Sequence, residues 1–118
     1  GANLISHTTG SPANSVTSLR LTVNNSTTRM LPATIQFSAD VGAPLDSEVR
    51  LTFSLDGAAP QYYGPQNLAN NTQFWQSRSA LARIMVPPGS HTITPVWWVQ
   101  SGATVTAFMD DRCMFVTM

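Results

Sequence analysis

The chain has 118 residues, enough for one domain with a sizeable buried core. Only 10% of the residues are charged, and six cationic residues balance six acidic ones, so the chain lacks the basic surface that nucleic-acid-binding proteins use. No apolar run approaches the roughly 18 residues that span a bilayer, so we expect no membrane insertion.

The beginning of the chain is rich in Ser, Thr, Asn and Gly and shows no hydrophobic periodicity. This composition predicts an extended N-terminal arm over residues 1–15, which includes His7. If the arm is ordered, we expect it to lie on another surface, such as a neighbouring subunit. Residues 16–118 are predicted to form a single β-sandwich domain.

Three segments after the arm alternate apolar and polar residues, as half-buried strands do. They run from about Thr17 to Val23, over residues 31–39 and over residues 48–55. Pro32 cannot donate a ladder hydrogen bond, which places the beginning of the second segment at a sheet edge or a strand start.

The middle of the chain has weaker signals. Residues 60–63 are predicted as a short strand, and residues 64–71 as a polar loop. Residues 73–77 and 81–86 read as two strands or as one bent strand. A helix over the second of these is disfavoured, because it would have six residues before a Pro-Pro pair.

The C-terminal third contains the clearest strand, which follows Pro87-Pro88-Gly89 and carries two adjacent tryptophans. A Ser101-Gly102 turn ends this strand, and residues 103–108 read as the returning strand of a hairpin. Asp110-Asp111 is predicted as a further turn, which leads into a last strand over residues 112–117.

About eight short strands at this spacing, with no convincing helix, indicate an all-β protein. We predict an antiparallel β-sandwich of the jelly-roll-like type, with an immunoglobulin-like sandwich as the alternative. The single cysteine, Cys113, cannot form an internal disulfide and is predicted to be a small buried apolar residue.

The sequence shows no catalytic constellation, so we expect a protein that is not an enzyme and that uses no cofactor. His91 is interpreted as a strand residue with one satisfied nitrogen. One cysteine and two distant histidines exclude a zinc site, and Asp110-Asp111 has no third acid nearby for calcium.

Aromatic residues are the better candidates for function. Successive strand residues face opposite ways, so Trp97 and Trp98 cannot both enter one core, and the more polar company of Trp98 predicts that it points outward. An outward Trp98 could stack on a sugar, lie between subunits or be covered by a loop. The other candidate interface residues are Trp75, Tyr62, Tyr63 and Arg112.

The C-terminal third resembles the ending of phage virion surface proteins. The resemblance rests on the run VPPGSHTI from Val86 to Ile93, on SGATV from Ser101 to Val105, and on RCMFVT from Arg112 to Thr117. These phage proteins include tail-fibre and minor tail domains and capsid decoration or fibre-head proteins, particularly from phages of high-GC actinobacterial hosts.

This resemblance implies a non-enzymatic structural protein on the surface of the phage particle. It implies a homo-oligomer, with a trimer favoured, attached to other virion proteins such as the major capsid or tail protein. The alternative is a carbohydrate- or receptor-binding module, whose exposed aromatics bind a host-surface glycan.

Overall fold

The computed structural model of the chain describes residues 4–58, 66–70 and 75–118. These residues form nine strands and one 3-10 turn, Thr17–Leu19. In chain order the strands are β1 Ile5–Thr8, β2 Asn14–Ser15, β3 Leu21–Asn25, β4 Leu31–Gly42, β5 Ser47–Leu55, β6 Gln66–Asn70, β7 Gln76–Val86, β8 Gly89–Ser101 and β9 Thr106–Thr117.

The strands form two antiparallel sheets. Sheet A has the order β1-β9-β4-β7, and sheet B has the order β2-β8-β5-β6, with β3 also paired to β8. Because β2 and β3 pair with different stretches of β8, they together fill one strand position that the 3-10 turn interrupts. The resulting eight positions have the order of a jelly roll, which confirms the predicted fold class.

The core lies between the two sheets and is built by strict alternation along β4 and β5. Every second residue from Ala33 to Val41 is buried, and so are Val49, Leu51 and Phe53. Phe37 of sheet A meets Phe53 of sheet B edge to face, with ring centroids 6.5 Å apart. The two strands predicted over residues 31–39 and 48–55 are confirmed, and Pro32 lies one residue inside the start of β4.

The predicted hairpin around Ser101-Gly102 is wrong. β8 lies in sheet B beside β5, whereas β9 lies in sheet A between β1 and β4, so residues 102–105 cross from one sheet to the other. A short connection with glycine marks a reversal of chain direction. It does not determine whether the next strand pairs with its neighbour in sequence or joins the opposite sheet.

The predicted turn at Asp110-Asp111 is also wrong, because β9 continues through both residues. The pairing of β9 with β4 shifts register between Ser38 and Asp40, and Asp111 has a φ of 50°. This irregularity is a β-bulge, at which the short polar side chain of aspartate tolerates the left-handed conformation. The strand predicted over residues 112–117 is therefore the second half of β9.

Residues 5–15, interpreted from the sequence as an arm, contribute strands to both sheets of their own chain. β1 pairs with β9, and β2 pairs with β8. His7 is buried, and its Nδ1 accepts a hydrogen bond of 3.0 Å from the backbone N–H of Val99. Its Nε2 donates to the carbonyl of Pro12, also at 3.0 Å. The composition of this segment therefore gave no sign of its two strands, which the hydrogen bonds of the buried His7 help to hold in place.

Three weaker predictions have mixed outcomes. Residues 66–70, predicted within a polar loop, form β6, because the adjacent apolar pair Leu68-Ala69 is buried without any alternation to signal it. The segment predicted over 73–86 is the single strand β7 from residue 76 onward. The predicted strand at 60–63 lies outside the described residues.

Candidate functional site

Trp97 and Trp98 point to opposite sides of sheet B, as the alternation predicts. Trp97 is fully buried, whereas Trp98 is half-buried on the outer face of the sheet. The indole Nε1 of Trp98 donates to Oε1 of Gln100 at 3.4 Å, and its cross-strand partner is Arg50. Arg50 in turn forms an ion pair of 2.7 Å with Glu48. Trp98 therefore lies in a polar, partly charged setting.

Trp75 lies on the other side of the molecule, at the end of sheet A. Its side chain is 52% exposed, and its Cδ2 would be 3.9 Å from a Cβ placed on Gly42, so the indole lies close to the backbone of β4. Together with Phe108 it borders a depression of about 180 Å³. Two exposed aromatic rings beside one shallow depression are a plausible platform for a flat apolar group.

The remaining predicted residues do not join either tryptophan. Arg112 is half-buried where β9 meets the beginning of the chain, and its Nη1 donates to the carbonyl of Met109 at 3.3 Å. Tyr62 and Tyr63 lie outside the described residues. The candidates named from the sequence are thus spread over three regions rather than gathered in one site.

The outer face of sheet A carries a group of exposed apolar side chains, which the sequence did not reveal. Its central row places Leu81 of β7, Gln36 of β4 and Phe115 of β9 side by side, and Leu81 and Phe115 are 61% and 63% exposed. A depression of about 440 Å³ lies between them. We call this surface, from the row of Pro32 to the row of Ser38, the apolar face; its large exposed apolar residues are Leu81, Met85 and Phe115.

The apolar face carries little charge. From the row of Pro32 to the row of Ser38, Arg83 is the one charged residue that the described pairing places on it. Cys113 also lies on this face, opposite Ser38, and is half-buried rather than buried as predicted. Leu81 lies an odd number of residues from the buried Ile84 and Val86, so strand alternation places it on the opposite side of β7.

A third depression, of about 480 Å³, lies at the edge of the sandwich where β1 of sheet A approaches β2 of sheet B. Trp97 borders it from inside, and Thr17 and Ser18 border it from the exposed side. The side-chain amide of Asn14 donates to the carbonyl of Ser6 at 2.9 Å and so links the two edge strands beside it. We call this depression the edge cavity.

His91 and Asp56 form the clearest titratable pair. His91 Nδ1 donates to Asp56 Oδ2 at 2.6 Å, and Nε2 donates to the carbonyl of Pro88 at 3.0 Å, so both nitrogens are satisfied rather than one. The hydrogen bond to Asp56 raises the pKa of His91, and the same bond lowers the pKa of Asp56. Asp56 also accepts from the backbone N–H of Thr92. The pair ties the turn after β5 to the start of β8 and borders no cavity described above.

A second titratable group lies at the β9 bulge. A hydrogen bond with Asp40 and the negative charge of Asp110 raise the pKa of the Asp111 carboxyl. No group of three or more His, Cys, Asp or Glu in the described part of the chain has an arrangement that could hold a metal ion. Nor does any described helix have the length and apolar character needed to cross a membrane.

Comparison with known proteins adds little to this picture. The chain matches no known protein family, and no curated protein matches it. Among solved structures it is similar to the EclA C-terminal domain, a sugar-binding protein, at 11% sequence identity and a TM-score of 0.47. The similarity covers 95% of this chain and 76% of that one. Sugar binding is stated for that protein, and a similarity of this degree does not transfer it to this chain.

Proposed function

We propose that this chain is a non-enzymatic structural domain on the surface of a phage particle and that it acts by associating with further copies of itself. The observation that carries the self-association is the apolar face. The phage setting, with attachment to other virion proteins, is proposed from the sequence resemblance of the C-terminal third.

The size of the apolar face fits this role. The rows from Pro32 to Ser38 on β7, β4 and β9, at roughly 3.3 Å per residue and about 4.8 Å between strands, present an area of about 300 Å². The largest apolar patch of a typical soluble monomer covers about 300–600 Å² and is often an interaction site. Its burial against a partner removes Leu81 and Phe115 from solvent, which is the main favourable term in association.

A second copy of this chain is the partner that the charges favour. The chain has a formal net charge of zero, so two copies meet without net repulsion. The centre of the face combines apolar side chains with neutral hydrogen-bonding ones, Gln36 and Ser38, and interface cores are depleted of charge in this way. Residues 5–8 and 14–15 pair within their own chain. We therefore assign the contact between subunits to the apolar face rather than to the N-terminal arm.

The test compares two leucines of equal exposure in different places. Leu81 is 61% exposed on the apolar face, and Leu45 is 59% exposed in the connection between β4 and β5. We expect light scattering to give a trimer for the unchanged chain. Leu81→Asp should convert it to a monomer, because it places a carboxylate in the interface, while Leu45→Asp should leave the mass unchanged.

Two results would contradict the proposal. A strictly monomeric unchanged chain at millimolar concentration would exclude self-association as its main role. Equal loss of mass in Leu81→Asp and Leu45→Asp would show that the effect does not depend on the apolar face.

Trp75 and Phe108 support a second candidate function, binding of a host-surface glycan. An exposed indole beside a shallow depression can stack on the apolar face of a sugar ring. We expect Trp75→Ala to abolish binding on a glycan array while the oligomeric mass is kept. Trp98→Ala is the matched control, since Trp98 lies on the opposite sheet, and equal loss in both variants would refute a site at Trp75.

A further inference from the structure

His7 anchors the first segment of the chain to the sandwich. It is the one buried residue of residues 4–15, with 3% of its surface exposed, whereas the others are half-buried or exposed. Its ring lies beside the buried indole of Trp97, with ring centroids 5.9 Å apart. The strands of this segment are short, since β1 has four residues and β2 has two. Their attachment therefore depends strongly on one side chain.

The hydrogen bonds of His7 require one protonation state of its ring. Nδ1 accepts from the backbone N–H of Val99 in sheet B, and Nε2 donates to the carbonyl oxygens of Ser11 and Pro12 at 3.1 and 3.0 Å. A neutral imidazole with its proton on Nε2 satisfies this arrangement, because it has one acceptor and one donor nitrogen. In the protonated ring both nitrogens are donors, so the N–H of Val99 would lose its acceptor at a buried position.

The charged groups around His7 do not remove this conflict. Residues 4–15 contain no other titratable side chain, and His7 forms no ion pair within the part of the chain that the structure describes. Arg112 of β9 borders the edge cavity beside β1, so its positive charge opposes a second one on His7. Asp110-Asp111 lies beyond the part of β9 that pairs with β1, and His91 lies near the other end of β8.

The rest of the sandwich has its own core. All the buried residues of the hydrophobic core lie outside residues 4–15, and Ile5 is the member of that segment that packs partly buried against them. Loss of the segment would therefore leave the packing between β4, β5, β7 and β8 in place.

We propose that His7 is an acid-sensitive latch. In its neutral form it holds residues 4–15 across the edges of both sheets, and on protonation this segment detaches while the remaining strands stay folded. Detachment removes β1 from residues 106–109 of β9 and β2 from residues 96–97 of β8. Both sheets then gain an open edge, which is a template for pairing with another chain. The latch does not depend on self-association through the apolar face, so either proposal can fail without the other.

A pH titration of the full chain, labelled with nitrogen-15, follows the segment and the histidine in one sample. We expect the backbone amide signals of residues 5–15 to keep strand positions at about pH 7.5 and to move to unstructured positions toward about pH 5. The signals of β4 and β5 should stay unchanged. Because opening takes up one proton, the ratio of open to closed segment should rise about tenfold per pH unit once His7 titrates.

Two glutamine variants locate the response. His7→Gln keeps an oxygen that accepts and an amide that donates but does not titrate, so it should abolish the release. His91→Gln is the matched control, because it removes the other histidine of the chain and should leave the release unchanged. If His7→Gln does not hold the segment even at about pH 7.5, the unchanged chain decides: equal midpoints for the His7 ring and for the release support the latch.

Four results would overturn the proposal. Residues 5–15 could keep their strand signals after His7 is protonated, or they could already be unstructured at about pH 7.5. The signals of β4 and β5 could be lost at the same pH, which would mean that the whole chain unfolds. A release that persists in a His7→Gln chain whose segment is attached at about pH 7.5 would show that another group is responsible.

Discussion

The outer faces of the two sheets differ in what covers them. On sheet B, Thr52, Ser54, Thr94 and Val96 point away from the core and are nevertheless buried. On sheet A, the corresponding outward positions carry the exposed side chains of the apolar face. Other segments of the chain thus cover this part of the outer face of sheet B. The exposed apolar residues lie on the outer face of sheet A, which the chain leaves uncovered. A polar outward residue is therefore not necessarily an exposed one.

Contacts within the chain explain why polar residues suit the covered face. Ser54 Oγ donates to the carbonyl of Ala58 at 2.8 Å, and Arg20 Nε donates to Thr94 Oγ1 at 3.4 Å. Each hydroxyl satisfies a group that would otherwise lose water on burial. The apolar face has no such need while it is exposed, and its large side chains gain only when a partner covers them.

The largest contrast is expected from a carboxylate placed on each face. Val96→Asp should lower the free energy of unfolding by about 3 kcal/mol or more, because it buries an unpaired charge on sheet B. Phe115→Asp should change it by less than about 0.5 kcal/mol, measured on the monomer in a urea titration. Equal destabilisation by both would mean that the apolar face is covered within the monomer and would break the comparison.

Two serines offer a milder version of the same contrast. Ser54→Ala should cost about 1–2 kcal/mol, because it removes the hydrogen bond to Ala58 at a buried position. Ser38→Ala, on the exposed face of sheet A, should have almost no effect on monomer stability. Urea titration of both variants measures the difference, and a larger loss for Ser38→Ala would contradict it.

The pair His91–Asp56 gives sheet B a dependence on pH. Since the folded-state pKa of His91 is raised, its contribution to stability is complete below its ordinary value of 6.5 and is lost as the pH rises through the raised value. The lowered pKa of Asp56 makes its contribution complete above 3.8 and lost as the pH falls through the lowered value. The pair should therefore stabilise most between about pH 4 and pH 6.5.

Thermal unfolding of Asp56→Asn tests this window. The difference in Tm from the unchanged chain should be largest at pH 5 to 6 and should shrink toward pH 9. Asp46→Asn is the control, since it makes the same change at another aspartate with a positive φ and leaves the pair of His91 and Asp56 intact. A constant Tm difference for Asp56→Asn would show that the ion pair does not titrate as described.

The bulge of sheet A should show the opposite sign and the smallest effect. Because the pKa of Asp111 is raised, its ionised form is disfavoured in the folded state, so stability falls as the pH rises from its ordinary 3.8. Asp111→Asn removes this charge and suits the φ of 50°, so its Tm should be slightly higher at pH 7 and equal below pH 3.8. A lower Tm at pH 7 would contradict this sign.

Alternation predicted the strands that form the core, because β4 and β5 turn an apolar residue toward the core at every second position and so leave the period of two in the sequence. It also predicted which of the two adjacent tryptophans enters the core. Alternation could not predict which strands pair. Of the described strands, β5 and β6 pair with each other and follow one another in the chain, whereas the other paired strands are far apart in sequence. The hairpin predicted after β8 failed for this reason.

The candidate site was harder to predict than the fold. Whether an outward residue is covered depends on segments distant in sequence, as Thr94 shows by its contact with Arg20. Trp98 and Leu81 both point outward, and only the tertiary structure distinguishes the half-buried one from the exposed one.

The pairing of β1 with β9 has a consequence for synthesis on the ribosome. The first strand of the chain cannot take its place in sheet A until the last strand has been made, and β4 also needs β9 on one side. Folds dominated by such distant pairings form slowly, on the order of milliseconds to seconds. During translation one edge of β4 and the strand β1 around His7 therefore stay unpaired until β9 has been made. We expect sheet A to be complete only after β9 has been made, although β4 and β7 can pair before it.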